Sequence, residues 1–335
     1  MQVAAATGQK LDVLGIGNAI VDVLSHSDDE LLTELGLEKG AMTLVDEERS
    51  EFLYRRMGPG REVSGGSCAN TIAAIASMGG SGAYIGRVRD DALGRIFAHD
   101  IRAAGVRFDA APQPDGPATA RCLIFVTDDA QRTMQTYLGA CVDLGPEDVD
   151  EELVRRAEVT YFEGYLYDKP AAKAACQKAA DICHAAGNKL ALTLSDSFCV
   201  ERWRAELKEL VEGRVDILFA NESEIKSLYE VASFDEALQQ VRRHVGFAAL
   251  TRGAKGSVVV RGDEVHVIDA VPPARLVDTT GAGDLYAAGF LRGLTAGRDL
   301  ATCGRLGSAA AAAIIGQYGA RAAEPMTGLF AEMAG

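Results

Sequence analysis

Near the C-terminal end of the chain stands the string Asp278-Thr279-Thr280-Gly281-Ala282-Gly283-Asp284, followed at once by an apolar stretch over residues 285–291. Two glycines and an alanine leave three backbone N–H groups unshielded where a helix begins, and the positive end of the helix dipole there binds anions readily. Asp284 comes next. A carboxylate beside an anion hole suits a base that takes a proton from a hydroxyl as a phosphoryl group arrives. The competing reading is a capped helix start in which Asp284 only complements the dipole.

Three further groupings carry possible chemistry. After the first apolar run comes Gly15-Ile16-Gly17-Asn18-Ala19-Ile20-Val21-Asp22. It begins like a dinucleotide fingerprint, but Ile20 stands where the third glycine belongs, which disfavours a Rossmann oxidoreductase. In the second, Ser64-Gly65-Gly66-Ser67-Cys68-Ala69-Asn70, the double glycine lets backbone approach a substrate closely, and Asn70 in a first helical turn can donate to and accept from a hydroxyl. The third is Asn221-Glu222-Ser223-Glu224, where Asn221 and Glu224 share one face of a helix start. Oxygen ligands of that kind suit a hydrated Mg²⁺, while a solvated acidic helix cap is the alternative. No Gly-x-x-x-x-Gly-Lys-Ser/Thr string occurs, which excludes a P-loop NTPase, and no Gly-x-Ser-x-Gly elbow is present.

The 278–284 string resembles the C-terminal signature of the ribokinase (PfkB) family of sugar and nucleoside kinases, and residues 64–72, continuing through Gly79-Gly80 and residues 90–94, resemble its N-terminal signature. The resemblance runs from about Leu11 to Ala320 and implies a role for each matching position. Asp284 is then the catalytic base, with the amides of Gly281, Ala282 and Gly283 stabilising the transferred phosphoryl group and Arg132 reaching the same oxygens. Asn18 and Asp22, with Gly65, Gly66 and Asn70, bind the acceptor; one carboxylate can accept from both hydroxyls of a cis-diol. Asn221 and Glu224 match the family's Asn-x-x-Glu motif on the Mg²⁺ side. Thr251-Arg252-Gly253-Ala254-Lys255-Gly256 resembles the nucleotide-side loop, so Thr251, Arg252, Gly253 and Gly256, with Asn221 and Thr280, are expected to face ATP. A monovalent cation such as K⁺ is a further possibility in the family.

Residues 17–22 and 194–199 look more like adenosine kinases than ribokinases or fructokinases. Adenosine is therefore the leading acceptor, with Tyr137 and Tyr165, beside Leu138 and Leu166, available to wall the purine. A sugar kinase of ribokinase or fructokinase type, or another nucleoside kinase of the family, is the alternative. A sensor that keeps the fold without catalysis is a third reading.

The elements that must position these residues alternate in the manner of βαβ units. Strands are expected near residues 11–17, 83–88, 159–166, 189–195, 215–220 and 248–251, and helices near 69–78, 91–104, 170–186, 200–211, 234–244, 284–294 and 300–315. Several strands are continuous apolar runs, as in a parallel sheet covered on both faces. The expected architecture is α/β: a doubly wound, mostly parallel sheet formed by residues 1–18, 46–107 and 143–335. Residues 19–45 and 108–142 break the alternation, and runs 119–126 and 133–138 look like a hairpin. The family resemblance makes these two stretches a small β lid over the acceptor site.

Composition leaves room for this reading. The 335 residues are 48% apolar, enough for a substantial core, and the net charge of −14 argues against nucleic acid or an anionic membrane as partner. The expected partners are a small-molecule acceptor and ATP, with a monomer or homodimer as the oligomeric state. No apolar run reaches the roughly 20 residues of a membrane span, and residues 1–10 lack a signal-peptide layout, so a cytoplasmic location is the default. Seven widely spaced cysteines without a Cys-x-x-Cys pair fit a reducing compartment, and five scattered histidines offer no zinc spacing.

Overall fold

Residues 13–16 are too apolar for a half-solvated strand, and in the computed structural model, which describes residues 10–129 and 131–334, they belong to β1 (Leu11–Ile16), buried in the larger of two sheets except at partly exposed Asp12. The first nine residues, on which the reading of the N-terminus rests, lie outside the described residues. The chain then crosses to the smaller sheet for β2 (Ile20–His26), β3 (Met42–Leu44) and β4 (Gly60–Gly65). It returns for β5 (Gly82–Ile85) and leaves again for β6 (Ala120–Val126) and β7 (Arg132–Tyr137). From there β8 (Ala157–Glu163), β9 (Lys189–Thr193), β10 (Ile217–Asn221), β11 (Phe247–Thr251), β12 (Ser257–Arg261) and β13 (Glu264–Ile268) all add to the larger sheet.

The larger sheet has the order β13-β12-β11-β10-β9-β8-β1-β5. Its pairs are parallel from β11 to β5, while β12 and β13 close the edge as an antiparallel hairpin. That hairpin is absent from the sequence expectation: Glu264–Ile268 alternates apolar and polar residues and lacks the continuous run used to find the inner strands, while the run Val258–Val260 in β12 is passed over. Neighbouring residues of the inner strands enter different cores. Leu14, Leu192 and Leu218 join the core beneath the helices Pro170–Ala185, Ser197–Gly213 and Glu222–Tyr229. Val13, Ala191 and Ile217 join the one beneath Ser67–Ser77, Ala282–Thr295 and Leu300–Ile314. The doubly wound layout follows from this two-sided burial.

The smaller sheet has the order β3-β7-β6-β2-β4, and the expected hairpin is β6 and β7, with Ile124 opposite Met134. It draws on a third stretch beyond the two expected, since β4, within residues 46–107, pairs antiparallel with β2. The sequence conceals this strand because Gly60-Arg61-Glu62-Val63-Ser64-Gly65 is polar and ends in glycine. In β2 and β6 the odd-numbered residues Val21, Val23, Leu123 and Phe125 are buried in the core. Even-numbered ones face the carboxyl ends of the large parallel strands, where ligands of open α/β sheets bind. Among the described residues no helix is long and apolar enough to cross a membrane, and all seven cysteines are buried and unpaired.

Candidate active site

Two buried helices begin at the same point. The helix Ser67–Ser77 starts after the β4 turn and the helix Ala282–Thr295 after the 278–284 string, and their first turns are joined side chain to side chain. Ser67 Oγ donates to Asp284 Oδ1 at 2.7 Å, and Asn70 Nδ2 donates to Asp284 Oδ2 at 2.9 Å. Thr71 Oγ1 reaches the Asp284 carbonyl at 3.2 Å. Burial pushes the Asp284 carboxyl above the usual carboxylate range, and the Ser67 and Asn70 donors and the Arg321 charge pull it back. A carboxylate so placed is a fixed, moderately strengthened base. Asn70 Oδ1 is buried with no hydrogen-bond partner among the described residues.

The turn before Asp284 supplies the anion hole only in part as expected. Gly281 has φ +74°, and a Cβ there would stand 2.6 Å from the Cβ of Ala320, so both conformation and space require glycine. The Ala282 N–H turns back to the Thr279 carbonyl at 3.3 Å, which is a correction to the three-amide expectation. Gly281 and Gly283 donate no hydrogen bond to any described residue.

One cavity of about 280 Å³ lies between the small sheet and this point. Its polar end holds Asn18, Asp22, Asn70 and Asp284, with Gly66 and Ser67 of the β4 turn. Asp22 accepts no hydrogen bond from the described residues; burial pushes its carboxyl up to about 7, against the opposing pull of Arg321. Gly65 lies directly against that carboxyl, since a Cβ there would overlap all three of its atoms. The other end of the cavity is apolar: Ile20, Met42, Leu44, Ile124, Met134 and Leu138 from the small sheet, with Tyr165 and the exposed ring of Phe198 opposite. Tyr137 is a correction. As an odd residue of β7 it points to the other face, where its hydroxyl meets Glu47 Oε2 at 3.1 Å, and Leu166 is core. Tyr165 does line the cavity, its hydroxyl held by Asp196 at 2.8 Å.

A second cavity of about 290 Å³ opens on the other side of Asp284, lined by Gly281, Ala282 and Gly283 together with Asn221, Glu224 and Thr251. Asn221 and Glu224 form a reciprocal capping box: Asn221 Oδ1 accepts from the Glu224 N–H and Glu224 Oε2 from the Asn221 N–H, both at 2.9 Å. The Asn221 amide also donates to Glu224 Oε1, and burial pushes the Glu224 carboxyl up to about 7. The capping reading is thus realised, and both residues line the cavity. No cluster of three or more metal-ligating His, Cys, Asp or Glu side chains occurs among the described residues, so this donor set fits a water-shelled Mg²⁺ and no inner-sphere protein cage.

Five expected nucleotide or phosphate contacts lie elsewhere. Arg252, Gly253 and Gly256 form the tight turn between β11 and β12 and are not among the residues lining the cavity, because the Arg252 N–H closes on the Gly256 carbonyl and its side chain pairs with Glu222 at 2.9 Å. Thr280 lines the acceptor cavity instead, its hydroxyl bonded to Asp278. Arg132, expected at the transferred phosphoryl oxygens, pairs with buried Asp278 at 3.0 Å and so ties the small sheet to the large domain.

Sequence reasoning passed over four residues of this site. Buried Glu163, at the end of β8, accepts from the Asn18 and Cys68 N–H groups, both at 2.8 Å, and so fixes the two acceptor turns against each other; burial pushes it up to about 7. A carboxylate closing an apolar strand is the signal that could have found it. Ser195 lines both cavities in the left-handed conformation, φ 74°, with its hydroxyl buried and unpartnered. Phe198 is the aromatic wall, and Arg321 reaches the β4 turn from the far end of the chain. Phe198 lies within the 194–199 segment already noted, though not as a wall residue, while no local pattern marks Arg321.

The geometry agrees with what the chain is similar to. The "pfkB family carbohydrate kinase" pattern matches residues 46–327. The crystal structure of adenosine kinase from Sinorhizobium meliloti is 54% identical with a TM-score of 0.91, covering 96% of this chain and 99% of that one. A probable sugar kinase from Rhizobium etli CFN 42 is 49% identical with a TM-score of 0.91, covering 97% and 98%. Adenosine kinase from Saccharomyces cerevisiae is 28% identical over 332 residues, 91% of this chain and 94% of that protein.

Proposed function

Because the chain belongs to the pfkB family of carbohydrate kinases, we propose that it transfers the γ-phosphoryl group of ATP to the 5′-hydroxyl of adenosine, giving AMP and ADP. The observation that carries this reading is the two-ended acceptor cavity, with an unpartnered carboxylate, Asp22, at one end, an apolar wall ending in Phe198 at the other, and Asp284 at the border with the second cavity. A purine suits the apolar end and a ribose cis-diol suits Asp22. The likeness to the S. meliloti adenosine kinase supports the same acceptor.

In this mechanism Asp22 accepts from two ribose hydroxyls and Asn70 Oδ1 from a third donor of the acceptor, so the 5′-hydroxyl faces Asp284. Asp284 takes its proton, with Ser67 and Asn70 holding the carboxylate in place. The Gly281 and Gly283 amides meet charge on the moving phosphoryl group, and much of the rate comes from positioning. Mg²⁺ bound with ATP would offset phosphate charge, with Asn221 and Glu224 holding its water shell. Arg132 joins the phosphoryl group only if it leaves Asp278, and in its present pairing it fastens the small sheet.

The test is ADP release from Mg·ATP with adenosine, inosine, guanosine, ribose and fructose. Selective turnover of adenosine is the expected result. Turnover of a free sugar would keep the chemistry and overturn the acceptor, and ATP binding without turnover of any of them would favour a sensor.

A further inference from the structure

We propose that Arg321 is a positioning residue for this reaction: it clamps the acceptor-binding turn from both sides and supplies the positive charge shared by Asp22 and Asp284. The proposal rests on the kinase reading for its consequences in turnover, while its geometry stands apart from that reading. Arg321 lies in the segment between the helices Leu300–Ile314 and Thr327–Ala334, more than two hundred residues along the chain from the turn it touches. Its Nε donates to the Ser64 carbonyl at 2.9 Å and its Nη1 to the Ala69 carbonyl at 2.7 Å. Those two carbonyls flank residues 65–68, and that of Ala69 sits one residue before Asn70. A single rigid fork therefore fixes the spacing of the whole acceptor turn, which a lysine, as a point donor, cannot reproduce.

The third nitrogen, Nη2, is buried without a hydrogen-bond partner among the described residues. The Arg321 side chain lines a cavity of about 360 Å³ that shares Asp22, Ile124 and Thr280 with the acceptor cavity. Charges around it are unequally met. Asp278 has Arg132 at 3.0 Å and the N–H groups of Thr280 and Gly319. Asp284 has Ser67 and Asn70. Asp22 has no donor among the described residues and faces Asp284 and Asp278 as well as Arg132 and Arg321. Arg321 faces Asp22 first, then Tyr84, Asp284 and Asp100, and it remains a cation although burial lowers it to about 10. With Arg132 committed to Asp278, Asp22 depends most on Arg321 to stay ionised, and an ionised Asp22 is what a diol requires.

The experiment compares wild type, Arg321→Gln and Arg321→Lys. Carbon-13 carboxyl NMR over about pH 5 to about pH 9 reads the Asp22 titration directly, with Asp22→Asn identifying the signal, and kcat and KM for adenosine are followed over the same range. In Arg321→Gln the Asp22 inflection and the acid limb of kcat/KM should move up together by about one pH unit, roughly a tenfold loss on the acid side that recovers on the alkaline side. Arg321→Lys should keep the inflection and raise the acceptor KM at every pH. An unmoved inflection in Arg321→Gln, or an equal movement in Arg321→Lys, overturns the charge role. A normal acceptor KM in Arg321→Lys overturns the clamp, and that variant decides alone if Arg321→Gln does not fold. A shifted inflection in a protein whose wild type turns over no acceptor would sink the kinase reading and leave the assignment of Arg321 in place.

Discussion

The two sides of the acceptor cavity are built on opposite plans. On the polar side most functional groups are held by something else: Asp284 by Ser67 and Asn70, Asn18 by Glu163, Asp278 by Arg132, Thr280 and Gly319; the Asp22 carboxylate is the exception, with no donor among the described residues. On the apolar side, Met42 and Leu44 of the small sheet and Phe198 of the large domain facing them are each more than a third exposed and touch the cavity through apolar surface alone. Chemistry needs fixed geometry to a fraction of an ångström, whereas recognition of a flat, apolar group tolerates a softer wall. Substitutions on the first side should therefore act on kcat, and those on the second on KM and on the choice of acceptor.

The largest effect belongs to Asp284. Asp284→Asn keeps the shape and the Asn70 contact while removing the base, and it should lower kcat by roughly 10²–10⁴ with ATP binding intact, as measured by ADP release and nucleotide titration. A variant with near-normal turnover would leave the carboxylate as a helix cap only.

Asp22→Asn separates function from stability on the polar side. Acceptor kcat/KM should fall by about 10²-fold or more, with little change in the affinity for ATP. Stability should move the other way. Asp22 titrates near 7 in the fold against 3.8 for a free side chain, so its contribution is fully present below about 4 and is lost as pH rises through about 7. An amide does not titrate, and the variant should gain about 1–2 kcal/mol above pH 7, a gain that disappears towards pH 4. Denaturant unfolding at the two pH values checks this; a loss at high pH would show that the carboxylate is better satisfied than its lack of donors implies.

Why some of this was legible in the sequence and some not follows from where the information lies. Asp284, the glycines before it, and the Gly65-Gly66 turn are local strings whose residue types dictate a backbone shape, so they can be read in place. The continuous apolar runs of the inner strands are local in the same sense. Ser195 acts through a left-handed backbone that serine rarely adopts and Arg321 through partners 252 and 257 residues away, and nothing beside them in the sequence announces it; Glu163 offers only the cue of a carboxylate closing an apolar strand, since its partners lie 95 and 145 residues away. Tyr137 was misplaced by a single residue of strand parity, and Arg252 and Gly256 by a turn that closes on itself. Asn221 and Glu224 were legible as a pair, but their first obligation is to each other.

Gly65→Ala probes the border between the two plans. The added methyl would collide with the Asp22 carboxyl, which must shift with the end of β4. An increase of roughly tenfold or more in the KM for the acceptor is expected, with the KM for ATP unchanged. Equal increases for both substrates would mean that the turn supports the whole site and not the acceptor alone.

The smallest effect is expected at Phe198, and it is the one that sharpens the comparison most. Its ring is 57% exposed, with the Arg202 guanidinium 5.2 Å from its centroid, so it is a surface aromatic facing the cavity mouth and contributes little to the core. Phe198→Ala should leave thermal stability nearly unchanged, since no buried volume is lost. If the ring stacks on a purine, the KM for adenosine should rise about three- to tenfold at constant kcat, in line with about 0.5–1.5 kcal/mol for an aromatic contact. The same variant should not alter whatever slow turnover a free sugar supports, because a sugar has no flat face to stack there. A fall in kcat without a change in KM would place Phe198 with the fixed, chemical side of the cavity and remove the reason for assigning the purine to the apolar one.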